Sequence, residues 1–161
     1  MLSCDPGRNQ QRIGCRTSTA QTRADHRRIN ARNFATGEEN GRIVWHCPDP
    51  RAIIKTEEVQ VSKRLRRYLR NERFEIRFNN DFQSVLQNCA NRDKTWINGD
   101  IISNFAELHR MRFAHRVTAY REGRLVGGGY GITLANGFFL KSMFYTKNHA
   151  SKAAFVRLAE N

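Results

Sequence analysis

The sequence predicts an α+β protein in which an antiparallel sheet is flanked by helices. Two turn signals, Arg121-Glu122-Gly123-Arg124 and Asn136-Gly137, each separate two segments of strand character, which is typical of β-hairpins. Residues 82–111 instead carry apolar side chains at helical spacing. A chain of 161 residues is long enough for one hydrophobic core.

Residues 1–35 are predicted to form a disordered basic tail. Seven arginines fall within residues 1–33, where large apolar side chains are few. Such a segment buries too little apolar surface to offset the entropy lost on ordering. Two alternatives remain open. One is an organelle transit peptide, although an amphipathic apolar stripe is missing, and the other is a start codon assigned too far upstream.

A basic helix is predicted over residues 63–70, with Ser62 as its N-cap and Leu65 and Leu69 on one face. The basic residues of this helix and of the segment just after it are Lys63, Arg64, Arg66, Arg67, Arg70 and Arg73. The whole chain has a formal net charge of +13, which favours a polyanionic partner, with nucleic acid as the first candidate. A solvated basic surface and a membrane-associated protein remain alternatives.

The other elements are predicted from periodicity and turn chemistry. Residues 43–45 form a short strand that leads to a corner at Pro48 and Pro50. Phe74, Ile76 and Phe78 alternate as in a half-buried strand. Three more helices follow. The second is capped by Asp81 and turns Phe82, Val85, Leu86 and Cys89 inward, and the third, over residues 100–111, turns Ile101, Phe105 and Leu108 inward. The last, over residues 149–160, is capped by Asn148 or Ser151 and has Ala154, Phe155 and Leu158 on its apolar side.

The four cysteines and five histidines show neither metal-type nor disulfide-type spacing. No metal site and no disulfide framework is therefore expected. Hydrogen-bonded structural roles are favoured over a general-base role for His109 and His115. Because no apolar run is long enough to span a bilayer and no secretory signal is present, a cytoplasmic protein without a membrane partner is expected.

Two features admit both a structural and a functional interpretation. Gly127, Gly128 and Gly129 interrupt a predicted strand, which indicates either a bulge or the close approach of a ligand to the backbone. The second feature is a set of aromatic and soft apolar residues that form either core or the wall of a pocket for an apolar side chain and a stacked base. Its members are Trp45, Trp96, Phe138, Phe139, Met143 and Phe144.

Several short motifs occur in order along residues 36–158. They are WHCPDPRA at 45–52, TWI at 95–97, Leu108-His109, Ala114-His115, LVGGGYG at 125–131, SMF at 142–144, and Asn148 with ASK at 150–152. Their order and spacing resemble leucyl/phenylalanyl-tRNA–protein transferases. The resemblance implies an incomplete catalytic domain of the acyl-CoA N-acyltransferase type at residues 98–161, behind a small N-terminal α/β domain at residues 36–97.

The same resemblance implies an activity and a site. Leu, Phe or Met would move from aminoacyl-tRNA to the N-terminal Lys or Arg of an acceptor protein, in the N-degron pathway, on a cytoplasmic monomer without metal or cofactor. The basic residues at 63–73 would hold tRNA phosphates. The substrate-binding residues that the resemblance implies are Trp45, His46, Trp96, Gly127, Gly128, Tyr130, Phe138, Ser142, Met143 and Phe144.

The sequence also departs from the family pattern. The pattern has Gly-Glu directly before Ser-Met-Phe, whereas this chain has Leu140-Lys141, and Arg116 and Thr118 replace a Ser and a Glu. The chain ends before the family's Asp-x-Gln motif, so no catalytic residue is assigned and an open sheet edge is expected. A tRNA-binding remnant without transferase activity is therefore one alternative. An acyl-CoA-dependent acyltransferase, which would bind pyrophosphate through its backbone, is another.

Overall fold

The computed structural model describes residues 34–38, 43–46 and 53–160, and this part of the chain contains six strands, four α-helices and a short 3-10 helix. The predicted corner at residues 47–50 and residues 1–33 of the predicted tail lie outside it. In chain order the elements are β1 (Phe34–Gly37), β2 (Ile43–His46), a 3-10 helix (Thr56–Glu58), α1 (Lys63–Glu72), β3 (Glu75–Phe78), α2 (Phe82–Ala90), α3 (Gly99–Arg110), β4 (Ala114–Arg121), β5 (Arg124–Leu134), β6 (Gly137–Tyr145) and α4 (Ala150–Ala159).

A four-stranded antiparallel sheet in the order β3-β4-β5-β6 is the centre of this fold, and β1 pairs with β2 in a separate antiparallel hairpin. The first predicted hairpin turn is confirmed, since Glu122 and Gly123 both have positive φ values, 52° and 74°. The second turn lies one residue earlier than predicted. Leu134 pairs with Gly137, so the two-residue loop is Ala135-Asn136, with Ala135 at φ 49°.

The predicted caps of the first two long helices are confirmed. The Ser62 Oγ accepts a hydrogen bond from the Leu65 amide at 3.2 Å, and an Asp81 carboxylate oxygen accepts one from the Ser84 amide at 3.2 Å. α3 begins one residue earlier than predicted, behind Asn98. The predicted caps of α4, Asn148 or Ser151, are wrong: His149 is the N-cap, at φ 61° and without a side-chain cap bond.

α2 and α3 cover one face of the sheet. The apolar cluster between them and the sheet is the larger of two among the described residues, and we call it the first core. Burial of each large side chain there contributes about 1.5–3 kcal/mol. Every residue predicted to face inward from α2 and α3 is buried, Cys89 included. The first core consists of Ile43, Phe82, Val85, Leu86, Cys89, Ile97, Ile101, Phe105, Leu108, Ala114, Tyr130, Ile132 and Phe144.

α4 covers the opposite face, which we call the α4 face. Four small buried residues make the contact, Val117 and Ala119 from β4 and Ala150 and Ala154 from α4. Their small side chains allow the helix to lie close to the sheet. Half-buried side chains surround them: Phe74, Ile76, Phe78, Val126 and Leu158.

Of the two domain boundaries implied by the resemblance, the one after residue 35 falls inside β1 and the one after residue 97 lies in the loop between α2 and α3. β1 begins at Phe34, whereas the sequence predicts a tail through residue 35, because Phe34 and Ala35 pair with His46 and Trp45 of β2. The boundary between 97 and 98 lies within the first core, which contains Ile43 and Ile97 as well as later residues. β3 is also hydrogen-bonded to β4 across that boundary. Residues 36–97 and 98–161 therefore share a sheet and a core.

Candidate functional site

A basic surface lies along α1. All six basic residues predicted at 63–73 are exposed, while Leu65 and Leu69 are half-buried. A cleft of about 240 Å³ separates α1 from α4, and its lining includes Arg66 and Arg157. The helix therefore lies on the α4 side of the molecule and presents its positive charge to solvent. Its role in binding phosphates stays a prediction.

Contacts from one end of α1 fix it to the sheet and to the loop before α4. Glu72, which is largely buried, forms ion pairs with Arg121 of β4 and, at 3.7 Å, with Lys147. The Tyr68 hydroxyl donates to the Asn148 carbonyl at 3.4 Å, and its ring meets His149 edge-on at 4.9 Å. Arg121 and Lys147 are thus placed next to the C-terminal end of α1, with one acid between two bases.

Glu72→Gln is expected to destabilise the protein by about 1 kcal/mol. The amide keeps the shape of the side chain, but two cations lose the acid that compensates them, and the pairs are partly shielded from water. Thermal unfolding followed by circular dichroism should show a melting temperature about 3 °C lower. The same loss in the Arg121→Gln/Glu72→Gln double variant as in an Arg121→Gln single variant would support coupling. An unchanged melting temperature in Glu72→Gln would contradict it.

Three of the implied substrate-binding residues face the first core. Tyr130 is fully buried, Phe144 and Ser142 nearly so, and the Tyr130 ring contacts Phe105 edge-on with centroids 4.9 Å apart. Burial raises the pKa of Tyr130 well above its ordinary value. Tyr130 and Phe144 are therefore packed inside the protein, which favours the core interpretation for Phe144.

Met143 and Phe138 lie on the α4 face, and we call them together with Gly129 and Gly131 the outer patch. Met143 is opposite Gly129 in the register, and its side chain is 38 % exposed. A Cβ at Gly131 would lie 2.6 Å from the Phe138 ring, so the absence of a side chain there lets the ring lie against the strand. The outer patch is an apolar surface made by strand residues.

The glycine run in β5 has a packing role and lies next to a bulge. Gly127 is opposite Ala119 and Leu125 is opposite Tyr120, so Val126 is the extra residue of a β-bulge. A Cβ on Gly127 would lie 2.7 Å from the Ala150 Cβ of α4. α4 therefore covers Gly127, and the structure supports the bulge-and-packing interpretation of this residue.

Trp45 and His46 lie in the β1–β2 hairpin, and Trp96 lies next to it. The two tryptophans are half-buried against the first core. His46 stacks on Phe34 with centroids 4.7 Å apart, and its Nε2 lies 2.8 Å from the Thr36 Oγ1. The Gly37 amide donates to the Trp96 carbonyl at 2.8 Å, which joins the hairpin to the TWI segment. Residues 47–52 of the WHCPDPRA motif lie outside the described part of the chain.

Arg92 is a site residue that the sequence interpretation missed. Its guanidinium donates to the Met143 carbonyl and, at 3.4 Å, to the Ser142 Oγ. Cys89 lies beneath this contact, and burial raises the pKa of its thiol to about 11. In the sequence, Arg92 is only a basic residue between the second predicted helix and the TWI motif. This position does not indicate a partner 50 residues away.

Lys141 occupies a bulge of β6. Tyr130 is opposite Ser142 and Gly131 is opposite Leu140, so Lys141 is the extra residue on its strand. The bulge reverses which face each following residue occupies, and it allows Phe138 and Met143 to share the α4 face although their separation is odd. The position at which the family pattern has a Glu is thus a structurally irregular one.

Arg116, which stands in place of a family Ser, is buried in the sheet and 1 % exposed. One nitrogen donates to the Thr118 Oγ1 at 3.0 Å, and this hydroxyl donates to the Arg77 carbonyl at 3.0 Å. Its Nε and second terminal nitrogen have no hydrogen-bond partner among the described residues. Burial lowers the pKa of Arg116, and Tyr120 and Asp81 nearby offset part of this effect.

Arg116→Met is expected to stabilise the protein by about 1–2 kcal/mol. Met keeps an unbranched apolar stem and removes buried donors that lack partners. Thermal unfolding should show a melting temperature about 5 °C higher. The exposed Lys152→Met on α4 serves as a control and should change stability by less than about 0.5 kcal/mol. A lower melting temperature for Arg116→Met would show that the guanidinium is compensated.

No helix among the described residues is long and apolar enough to cross a membrane. No group of three or more His, Cys, Asp or Glu side chains in the same residues is arranged to hold a metal ion.

The chain is similar to known proteins over most of its length. A family model described as leucyl/phenylalanyl-tRNA protein transferase matches residues 53–161. Curated leucyl/phenylalanyl-tRNA–protein transferases of Gloeobacter violaceus and Rubrobacter xylanophilus are each 44% identical over 128 residues, which is 79% of this chain and 66% and 67% of theirs. That of Herpetosiphon aurantiacus is 44% identical over 124 residues, 76% of this chain and 65% of its own length. The chain thus spans about two thirds of these relatives. These matches show that the chain belongs to the leucyl/phenylalanyl-tRNA protein transferase family.

Proposed function

We propose that this protein transfers Leu, Phe or Met from an aminoacyl-tRNA to the N-terminal Lys or Arg of an acceptor protein, and so directs it into the N-degron degradation pathway. One observation carries the proposal. An exposed basic helix, held to the sheet through Glu72, lies on the same side of the sheet as the apolar outer patch, whose exposed member is Met143. An aminoacyl-tRNA carries both a polyanionic phosphate backbone and, at its 3′ end, a small apolar amino acid.

The basic surface would hold the tRNA through its phosphates. The exposed side chains of α1 carry the positive charge of this surface, and Arg121 and Lys147 lie beside its C-terminal end, where Glu72 offsets part of their charge. Phosphate contacts of this kind supply affinity without sequence specificity. Such binding suits an enzyme that must accept several tRNAs carrying the same amino acid.

The outer patch would receive the aminoacyl side chain. Met143 is the most exposed of its members, and Met adapts to ligands of different shape. Each CH₂ buried there contributes about 0.8 kcal/mol, which favours Leu, Phe and Met over polar residues. Trp45, His46 and Trp96 would stack against the terminal adenosine. Gly127, Gly128, Tyr130 and Phe144, being buried, would shape the site through packing.

The reaction needs only positioned substrates and donors. The neutral α-amine of the acceptor attacks the ester carbonyl, a C–N bond forms and the C–O bond to the tRNA 3′ oxygen breaks. The amine loses a proton to solvent, and the leaving 3′ oxygen takes one up to become a hydroxyl. Hydrogen-bond donors stabilise the developing oxyanion. Holding both substrates together supplies much of the remaining rate enhancement.

Three further expectations, on the fold type, the oligomeric state and the location, accompany this proposal. The catalytic unit would have the acyl-CoA N-acyltransferase type of fold, for which the antiparallel sheet with helices on both faces is the supporting observation. The protein would act as a monomer. It would do so in the cytoplasm, where charged tRNA is found.

The test is a transfer assay. Purified protein is mixed with tRNA charged with radioactive leucine and with a peptide bearing N-terminal Arg, and label in the peptide is counted. Matched peptides with an acetylated N-terminus or with N-terminal Glu serve as controls. Label in the Arg peptide alone is the expected result. Equal label in all three peptides, or none above a protein-free control, would contradict the proposal.

Lys141 favours a second candidate, a tRNA-binding protein that transfers nothing. A carboxylate at this place would attract a positively charged acceptor, whereas an ammonium group repels one. This candidate predicts that charged tRNA is retained on a filter with the protein while no label reaches the Arg peptide. Transfer to the Arg peptide would exclude it.

A further inference from the structure

Arg92 connects two segments that carry proposed substrate-binding residues. It lies in the loop between α2 and α3, four positions before Trp96, and its side chain reaches β6 at Ser142 and Met143. The sequence separation of these partners is 50 and 51 residues. A single guanidinium therefore bridges the loop that precedes the TWI motif and the strand that carries the SMF motif.

The backbone on both sides of this bridge has a defined geometry. The amides of Asn91 and Arg92 donate to the carbonyls of Gln87 and Ala90 at 2.9 and 2.8 Å, which fixes the turn after α2. On β6 the Ser142 carbonyl faces β5, since a Cβ on Gly129 would lie 2.7 Å from it. Successive carbonyls of a strand alternate in direction, so the Met143 carbonyl points away from β5, where Arg92 meets it.

The place of the bridge on the strand is also informative. Ser142 and Met143 come directly after the bulge at Lys141, where the ladder is locally interrupted. A bulged edge of a sheet has fewer fixed backbone contacts than its interior, so an added charge-assisted hydrogen bond has a large effect on its order. Burial raises the pKa of Cys89 and Tyr130, and the nearby guanidinium charge of Arg92 offsets a small part of that rise.

We propose that Arg92 is a positioning residue that holds Met143 and the Trp96 loop in the arrangement that receives the aminoacyl group. This inference rests on the proposed function. Arg92 acts through Met143 and Ser142 and does not itself recognise the phosphates, so its loss affects the charged end of the tRNA more than the rest. Preorganisation of this kind reduces the ordering cost paid on binding.

The test compares Arg92→Ala, Arg92→Lys and Lys94→Ala, the last removing a neighbouring exposed charge of the same loop. Affinities for leucyl-tRNA and for the same tRNA uncharged are measured beside the KM and kcat of leucine transfer. Arg92→Ala should reduce the preference for charged over uncharged tRNA about tenfold and raise KM more than it lowers kcat. Arg92→Lys should recover part of the preference, and Lys94→Ala should match the unsubstituted protein.

Hydrogen exchange provides a readout that does not depend on activity. In Arg92→Ala the amides of residues 141–145 should exchange at least tenfold faster, while those of α4 keep their rates. The inference is overturned if β6 exchange and the preference for charged tRNA both stay unchanged, or if affinity for charged and uncharged tRNA falls equally. If the unsubstituted protein neither transfers leucine nor prefers charged tRNA, the proposed function fails instead, and the exchange rates alone decide whether Arg92 positions β6.

Discussion

Reversing three charges on α1, in the variant Arg64→Glu/Arg67→Glu/Arg70→Glu, is expected to weaken tRNA binding about 100-fold at 0.15 M salt. All three side chains are exposed. Each phosphate contact contributes about 0.9 to the slope of log affinity against log salt, so three contacts account for roughly two orders of magnitude at this salt concentration. Filter binding between about 0.05 and 0.3 M salt should also show a slope reduced by about 2.7.

The control for this variant is Arg110→Glu, an exposed charge reversal on α3, across the sheet from α1. It should change affinity by less than about threefold, since long-range charge effects are screened beyond about 8 Å. All variants should keep their far-ultraviolet circular dichroism spectra, because surface charges contribute little to folding. An unchanged salt slope in the triple variant would place the tRNA elsewhere.

Gly127→Ala is expected to destabilise the protein by about 3 kcal/mol. The added Cβ would lie 2.7 Å from the Ala150 Cβ, 2.9 Å from the Ser151 amide nitrogen and 3.0 Å from the Ala150 carbonyl carbon. Two of these three atoms belong to the backbone of α4, so the helix itself must move away from β5. Overpacking of this kind typically costs 1–3 kcal/mol. Urea unfolding followed by circular dichroism measures the loss.

Gly99→Ala is a matched control for this substitution. Gly99 is the first residue of α3, and a Cβ there meets nothing within 4 Å. The same change should therefore stabilise the protein by about 0.5 kcal/mol, because Ala favours the helix and restricts the unfolded chain. Destabilisation of similar size in both variants would mean that the close approach of α4 is not the reason why Gly127 cannot be replaced by Ala.

Local patterns were sufficient to predict most of the elements. The spacing of Phe82, Val85, Leu86 and Cys89 allows one buried helix face, and all four residues are buried. Ser62 and Asp81 have side chains that satisfy free amides at a helix start, and they do so here. These predictions depend on residues only a few positions apart, whose relation the helix geometry determines.

Predictions that depended on distant contacts were less successful. The pattern alone does not show that Val126 and Lys141 are bulge residues, because a bulge is defined by the partner strand. As a result the sequence grouped Phe138, Met143 and Phe144 as one set, although Phe144 belongs to the first core. The contact of Arg92 with β6 and the burial of Arg116 were missed for the same reason, since both result from how the sheet and α2 pack.

The bulge at Lys141 also has a consequence for substitutions at this position. A bulge residue stands outside the in-and-out alternation of its strand, so exchanging its side chain leaves the inward and outward assignments of residues 137–140 and 142–145 as they are. A substitution between acid and base at residue 141 can therefore change the charge at this edge of the sheet while the packing of β6 against the first core is kept.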